Sequence, residues 1–454
     1  MLGWGLLVPE LLSEVQRILT DELHEWKAEK DAGYQNRRYK RQQQAMPCHS
    51  LLTVTLVNRH WNRVGTRNLY SSLYLHKLET IQPLMKALST NPALVEHVKC
   101  LSIDFKYLSL PTQKKAKGKE EQRRKKVSKL VWSLLRLFRS GELRHLSIVG
   151  PALHPLPAGV DCSTPPACLI GLKGLDVNGF QGYEVCGYRD FDFVPWVEAA
   201  APSLERLKLS DELCATPKVR AFSFPNLKSF CKPAFINLDG AVPNCIQNVG
   251  SPVVRGSVLA LVDLSMGGLE LPGEVIHRIL FRSTTTLKRL HLHPQGYLLQ
   301  LFDERVSPLS TLWDKLVDVL PICSALEVLE LGLGYPTNYD AARGVPFEEP
   351  EVKGKIFNIV DALPSNLVNF MLSAGVSSSR ENITAISHRL LERELTSLRT
   401  VGLPLEYLTQ SRRYRNPAEI ATELAPLEQL FAARGIVARF DAEFSAQLPW
   451  IFRD

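Results

Sequence analysis

One short phrase recurs along this 454-residue chain and limits what it can fold into. It reads apolar-x-x-apolar-x-apolar, with polar residues in the gaps. Clear copies stand at Leu143/Leu146/Ile148, Leu172/Leu175/Val177, Leu204/Leu207/Leu209, Leu287/Leu290/Leu292, Leu326/Leu329/Leu331, Leu367/Phe370/Leu372 and Leu398/Val401/Leu403. A related phrase from Val95 to Ile103 precedes them, while Leu227 to Phe230 and the apolar run Val258 to Leu264 are weaker copies. The last two apolar residues of each copy lie two apart, so on a strand they face the same way, into a core. The first one turns the chain into that strand. Between copies lie helical or irregular stretches such as Val194 to Ala201, Pro272 to Phe281, Leu312 to Leu320 and Lys355 to Leu363. The chain therefore alternates a strand with a returning segment.

That alternation resembles the leucine-rich repeat, in which strands line one side and returning segments the other. The starting leucines at 143, 172, 204, 227, 287, 326, 367 and 398 lie 29, 32, 23, 60 (two units if the weaker copy counts), 39, 41 and 31 residues apart. Regular repeats of this class run about 20–29 residues, so the array is degenerate and expanded. A mixed α/β sheet with similar strands is the alternative. If the phrases stay in phase, Lys208, Arg289 to His293 and Glu330 lie on or near the strand face that looks away from the core. Loops directly after strand phrases hold Tyr297, Tyr335 and Tyr339, and tyrosine is a common rigid anchor in interfaces. These three are the candidate target-binding residues.

The N-terminal sequence carries a second pattern. Pro9 suits the first turn of a helix and Glu10 faces the positive end of its dipole. Leu11, Val15 and Ile18, with Leu12 and Leu19 beside them, make an apolar stripe at helical spacing. Leu56, Val57, Arg59 and Trp61 follow further on. Together these segments resemble the F-box, the helical module that binds the Skp-type adaptor of cullin–RING ubiquitin ligases. Val8 stands where many members carry proline, and residues 20–50 read as an insertion. The resemblance implies an adaptor-binding surface made of Pro9, Glu10, Leu11, Leu12, Val15, Ile18, Leu56, Val57 and Trp61. An F-box ahead of loose leucine-rich phrases is similar to the large F-box families of filamentous and mushroom-forming fungi.

Charge is concentrated in one place. Eight Lys/Arg and two Glu lie between Lys114 and Lys126; without them 46 basic and 45 acidic residues remain of 54 and 47. The chain is thus near-neutral with one basic stretch at 111–127, which has no aromatic residue to stack on bases; no nucleic-acid partner is expected. It reads as a solvated loop, with nuclear import as the other reading. No run of 18 apolar residues occurs, and Met1 to Val8 lacks a basic start, so neither membrane span nor signal peptide is expected. Nine cysteines without repeated spacing fit reduced thiols in the cytoplasm or nucleus.

Signatures of catalysis are missing: there is no Gly-x-Ser-x-Gly elbow and no Walker loop. His291 and His293 share a strand face without a predictable third ligand, and Cys162, Cys168 and Cys186 with His154 lack zinc-site spacing. No metal and no cofactor are expected. Asn416 and Pro417 open a last helix that Gly435 ends, and residues 416–454 read as a terminal cap. The expected fold class is α/β: N-terminal all-α F-box-like helices in a module over 1–76, where Asn68 to Leu75, past the helices, alternates like a half-buried strand, then an irregular leucine-rich-repeat-like solenoid over 77–454. The expected function is substrate recognition in an SCF-type (Skp–cullin–F-box) E3 ubiquitin ligase. The chain would bind the adaptor at one end and an unidentified protein target at the other, and would catalyse nothing. The alternative is a protein-interaction scaffold unconnected to a ligase.

Overall fold

The computed structural model describes residues 66–67, 70–75, 78–104, 129–151, 165–180, 194–209, 221–232, 261–268, 273–294, 308–332, 350–373, 380–403 and 417–440. The chain divides into two compact units, Met1–Leu204 with Ala446–Asp454, and Glu205–Ser445. In the first lie β1 (Ser72–Leu75), α1 (Leu78–Thr90), α2 (Ala93–His97), β2 (Cys100–Asp104), α3 (129–135), β3 (His145–Pro151), β4 (Gly174–Phe180) and α4 (Val194–Ala200). The second holds β5 (Arg206–Leu209), β6 (Ser229–Lys232), β7 (Asp263–Gly268), α5 (Gly273–Arg282), β8 (Arg289–Pro294), α6 (Pro308–Val319) and β9 (Val328–Gly332). It continues through α7 (Pro350–Ala362), β10 (Asn369–Ser373), α8 (Arg380–Glu392), β11 (Thr400–Gly402), α9 (Pro417–Ala432) and β12 (Val437–Arg439). In each unit the strands follow chain order and pair in parallel, β1 to β4 in the first and β5 to β12 in the second. Parallel neighbours need a long crossover, which the segments between strand phrases provide.

The phrase explains the core. Its first apolar position is fully buried in every turn, from Val98, Leu143 and Leu172 to Leu287, Leu326, Leu367 and Leu398. The second positions stand in direct register: Leu101↔Leu146↔Leu175 in the first unit, and Leu207↔Phe230↔Leu264↔Leu290↔Leu329↔Phe370↔Val401 in the second. All of them are buried. At about 1.5–3 kcal/mol for each buried apolar side chain, these ladders hold successive turns together. Helices close the core from the other side. Ile276, Ile279 and Leu280 of α5 are buried at helical spacing, as are Leu312, Leu316 and Val319 of α6 and Ile383, Ile386 and Leu390 of α8. In the first unit Trp132 of α3 meets Trp196 of α4 edge-on at 5.4 Å, both buried.

Side chains tie turn to turn where the backbone leaves carbonyls over. Asn366 Nδ2 donates to the carbonyls of Ser324 and Leu326 at 2.7 and 3.0 Å, and Ser203 Oγ donates to that of Leu172 at 2.8 Å. The Arg393 guanidinium donates to Val360 and Leu363, capping the end of α7. After α9, Gly435 takes φ +71°, and the Ile436 N–H reaches back to the Phe431 carbonyl at 3.0 Å. A glycine suits this left-handed stop, from which β12 departs.

The expected fold class needs correction. β1 lies inside the module over 1–76 whose expected class is all-α, at the Asn68 to Leu75 alternation, and it pairs with β2 from Ser72↔Cys100 to Leu75↔Ile103. The described residues form an α/β arrangement of twelve parallel strands alternating with helices, with no N-terminal all-α region; residues 1–65 lie outside them. The physical reason is that Leu73 and Leu75 alternate in phase with Leu101 and Ile103, so their apolar side is completed by the neighbouring strand. The array is also less irregular than its spacing suggested. β7 carries a full phrase, Leu261/Leu264/Met266, all buried. It lies in the weaker copy read at Val258 to Leu264, and it splits the gap of 60 residues into 34 (227 to 261) and 26 (261 to 287).

Candidate interaction surface

With the apolar pair of each strand turned into the core, the residues between them point to the opposite face. Parallel register then stacks them into rows. In the second unit one row runs Lys208↔Cys231↔Ser265↔His291↔Glu330↔Met371, and another runs Arg206↔Ser229↔Asp263↔Arg289. In the first unit Tyr74, Ser102, Ser147 and Asp176 share a row. These rows are polar, and most of their members are nevertheless buried, Ser102, Ser147, Asp176, Ser229, Asp263, Ser265, His291 and Glu330 among them.

Buried polar atoms need partners, and neighbouring strands provide them. Ser147 Oγ donates to Asp176 Oδ2 at 3.1 Å. Arg289 grips Asp263 with a two-pronged fork, Nη2 to Oδ2 at 2.9 Å and Nε to Oδ1. His291 Nδ1 lies 2.9 Å from Glu330 Oε2, with side chains only 5% and 1% exposed. With Glu330 ionised, Nδ1 carries the proton and donates, which fixes the tautomer of the ring. The Arg289 side chain is 39% exposed, so the face is most open along the Arg206–Arg289 row and most enclosed around Glu330.

Chemically this face holds fixed dipoles and paired charges on strands in parallel register. No group of three metal-binding side chains occurs among the described residues. The described cysteines, Cys100, Cys168, Cys231 and Cys323, are free thiols. Burial pushes Cys168 up to about 12, against an opposing backbone hydrogen bond and with help from the charge of Glu142; burial alone pushes Cys323 up to about 11. Thiols that resist ionisation are poor nucleophiles. No helix of the described residues is long and apolar enough to cross a membrane.

The sequence-derived adaptor residues Pro9, Glu10, Leu11, Leu12, Val15, Ile18, Leu56, Val57 and Trp61 lie outside the described residues. So do Tyr297, Tyr335 and Tyr339, and the basic stretch 111–127. Lys208, His291 and Glu330 share one row, but Glu330 is buried against the imidazole instead of facing solvent. Sequence reasoning found no acidic partner for His291. That partner was legible from the phrases: His291 sits between Leu290 and Leu292, and Glu330 between Leu329 and Leu331. Aligning the phrases places them side by side despite 39 residues of separation. No family model matches the chain, and no curated protein matches it.

Proposed function

We propose that this chain is a non-catalytic substrate receptor of an SCF-type ubiquitin ligase, in which other subunits perform the transfer. The reading rests on one observation above all: Leu7-Val8-Pro9-Glu10-Leu11-Leu12 and Leu56-Val57-Asn58-Arg59-His60-Trp61 stand, in that order, ahead of a repeated strand phrase. The N-terminal segment docks a Skp-type adaptor through Pro9, Glu10, Leu11, Leu12, Val15, Ile18, Leu56, Val57 and Trp61. The stacked strands and the loops carrying Tyr297, Tyr335 and Tyr339 hold a protein target. Stacked repeats favour this role, because each turn adds another row of outward side chains to a continuous surface. Free thiols agree with a cytoplasmic or nuclear location.

The test is a pull-down of the full chain with a purified Skp-type adaptor, beside Pro9→Ala/Leu12→Ala. Binding by the wild type, lost in a variant that keeps its far-UV circular dichroism and melting temperature, supports the receptor reading. A folded wild-type chain that ignores the adaptor overturns it in favour of a protein-interaction scaffold. Unfolding of the whole chain by the double change also counts against it, since those side chains would then belong to a core.

A further inference from the structure

Two contacts hold α5 and α6 level with each other. Near the start of the pair Lys315 Nζ lies 3.2 Å from Glu274 Oε1, and past its end the Ala325 N–H donates to the Thr284 carbonyl at 3.2 Å. Both contacts join residues 41 positions apart (274 to 315, 284 to 325). The residues between them therefore run opposite one another. His277 faces Asp318, and Phe281 faces Ile322, which ends the short 3₁₀ turn Leu320–Ile322 after α6. Steps of three and then four residues keep Glu274, His277 and Phe281 on one side of α5.

The last rung of this seam is apolar and open. Phe281 is 59% exposed and Ile322 48%, and the Phe281 ring stacks on that of His277 with centroids 6.0 Å apart. The seam between α7 and α8 closes differently. Asp361 stands six residues before Leu367, as Phe281 stands six before Leu287, and the Arg389 guanidinium donates to it twice, at 2.7 and 2.6 Å. Two large apolar side chains left open on adjoining turns, where a sister turn carries an ion pair, mark an interaction site.

Charge says what the seam accepts. Glu274 and Lys315 answer each other. Asp318 is exposed, and among the described residues no hydrogen bond or ion pair engages its carboxylate. Arg278 and Arg282 leave α5 on its outer side, away from α6.

We propose that the α5–α6 seam binds a basic amphipathic helix of a partner protein. Apolar side chains of that helix cover Phe281 and Ile322, and a Lys or Arg one turn away meets Asp318. Asp318 lies four residues before Ile322, about 6 Å along the axis, which is the spacing of neighbours at i and i+4 on the incoming helix. An amphipathic helix laid into an apolar groove is a recurring mode of recognition. The seam belongs to the helix side of the second unit, so the proposal goes beyond the strand-face reading and needs no adaptor.

The experiment is fluorescence anisotropy of the full chain with a fluorescein-labelled helical peptide of about 18 residues. The peptide carries Leu at helical spacing with Lys one turn away, and a twin carries Glu in place of Lys. No adaptor is present, so failure here is separable from failure of the pull-down. The Lys peptide is expected to bind severalfold more tightly than its twin. Phe281→Ser/Ile322→Ser is expected to weaken that binding about tenfold or more, and Asp318→Lys severalfold. Asp361→Asn/Arg389→Gln, on the α7–α8 seam, is expected to shift it by no more than about twofold. Should the Phe281/Ile322 double variant not fold, Asp318→Lys, on an exposed side chain, decides. No binding by the wild type, equal binding of the Glu twin, or full binding by the folded double variant (or by Asp318→Lys where the double does not fold) overturns the proposal. Sedimentation showing a wild-type dimer that Phe281→Ser/Ile322→Ser disperses overturns the partner assignment in favour of a second copy of this chain.

Discussion

Breaking the His291–Glu330 pair is the sharpest test of how the polar face is held. In His291→Leu the Glu330 carboxylate, on a side chain 1% exposed, loses the Nδ1 donor 2.9 Å away. Water cannot replace that donor at such depth. Losing a buried hydrogen bond to a charged group costs about 1.5–3 kcal/mol, roughly a 3–12 °C fall in melting temperature for a unit of about 240 residues. The double variant His291→Leu/Glu330→Leu removes the stranded carboxylate as well, and two apolar side chains occupy the same layer. It is expected to recover about 1–2 kcal/mol relative to His291→Leu. Urea titration followed by circular dichroism, on wild type, both single variants and the double, closes the cycle. If the double variant is as unstable as the sum of the singles, the two side chains do not act as a pair, and the account of the face given above is wrong.

Two further outcomes follow from individual residues. A Cβ at Gly174 would overlap the imidazole of buried His145, so Gly174→Ala is expected to cost about 1–3 kcal/mol; Gly174→Ala/His145→Ala should recover part of this in the same urea assay, and no recovery refutes the clash. The raised thiols give a pH dependence. In the folded chain Cys168 ionises near 12 and Cys323 near 11, above the ordinary 9.0, so the unfolded chain releases these protons first and their contribution, complete below pH 9, is lost between 9 and 12 and between 9 and 11. Each contributes up to about 1.4 kcal/mol per pH unit over its window, and Cys168→Ala/Cys323→Ala should flatten the fall in urea midpoint between pH 8 and 10; an unchanged slope refutes it.

Local alternation made the strands legible. Because an apolar residue at every second position can face a core only on a strand, Leu287, Leu290 and Leu292 announced both β8 and its buried side. The signal was faint at β7, a weaker copy within the apolar run from Val258 to Leu264, where the phrase begins at Leu261. At β1 the alternation of Leu73 and Leu75 marked a strand, against the all-helical module that the resemblance implied up to residue 76.

The sequence by itself determined which residues turn inward, where the chain returns and where its charge gathers, since each depends on neighbours a few positions away. Only the tertiary structure decided which strands lie side by side, and that set which polar side chains meet. His291 met Glu330 and Ser147 met Asp176 because parallel register carries residues 39 and 29 positions apart onto adjacent rungs. The length of each returning segment hides that adjacency from local pattern, while the shared burial of the leucine ladders enforces it.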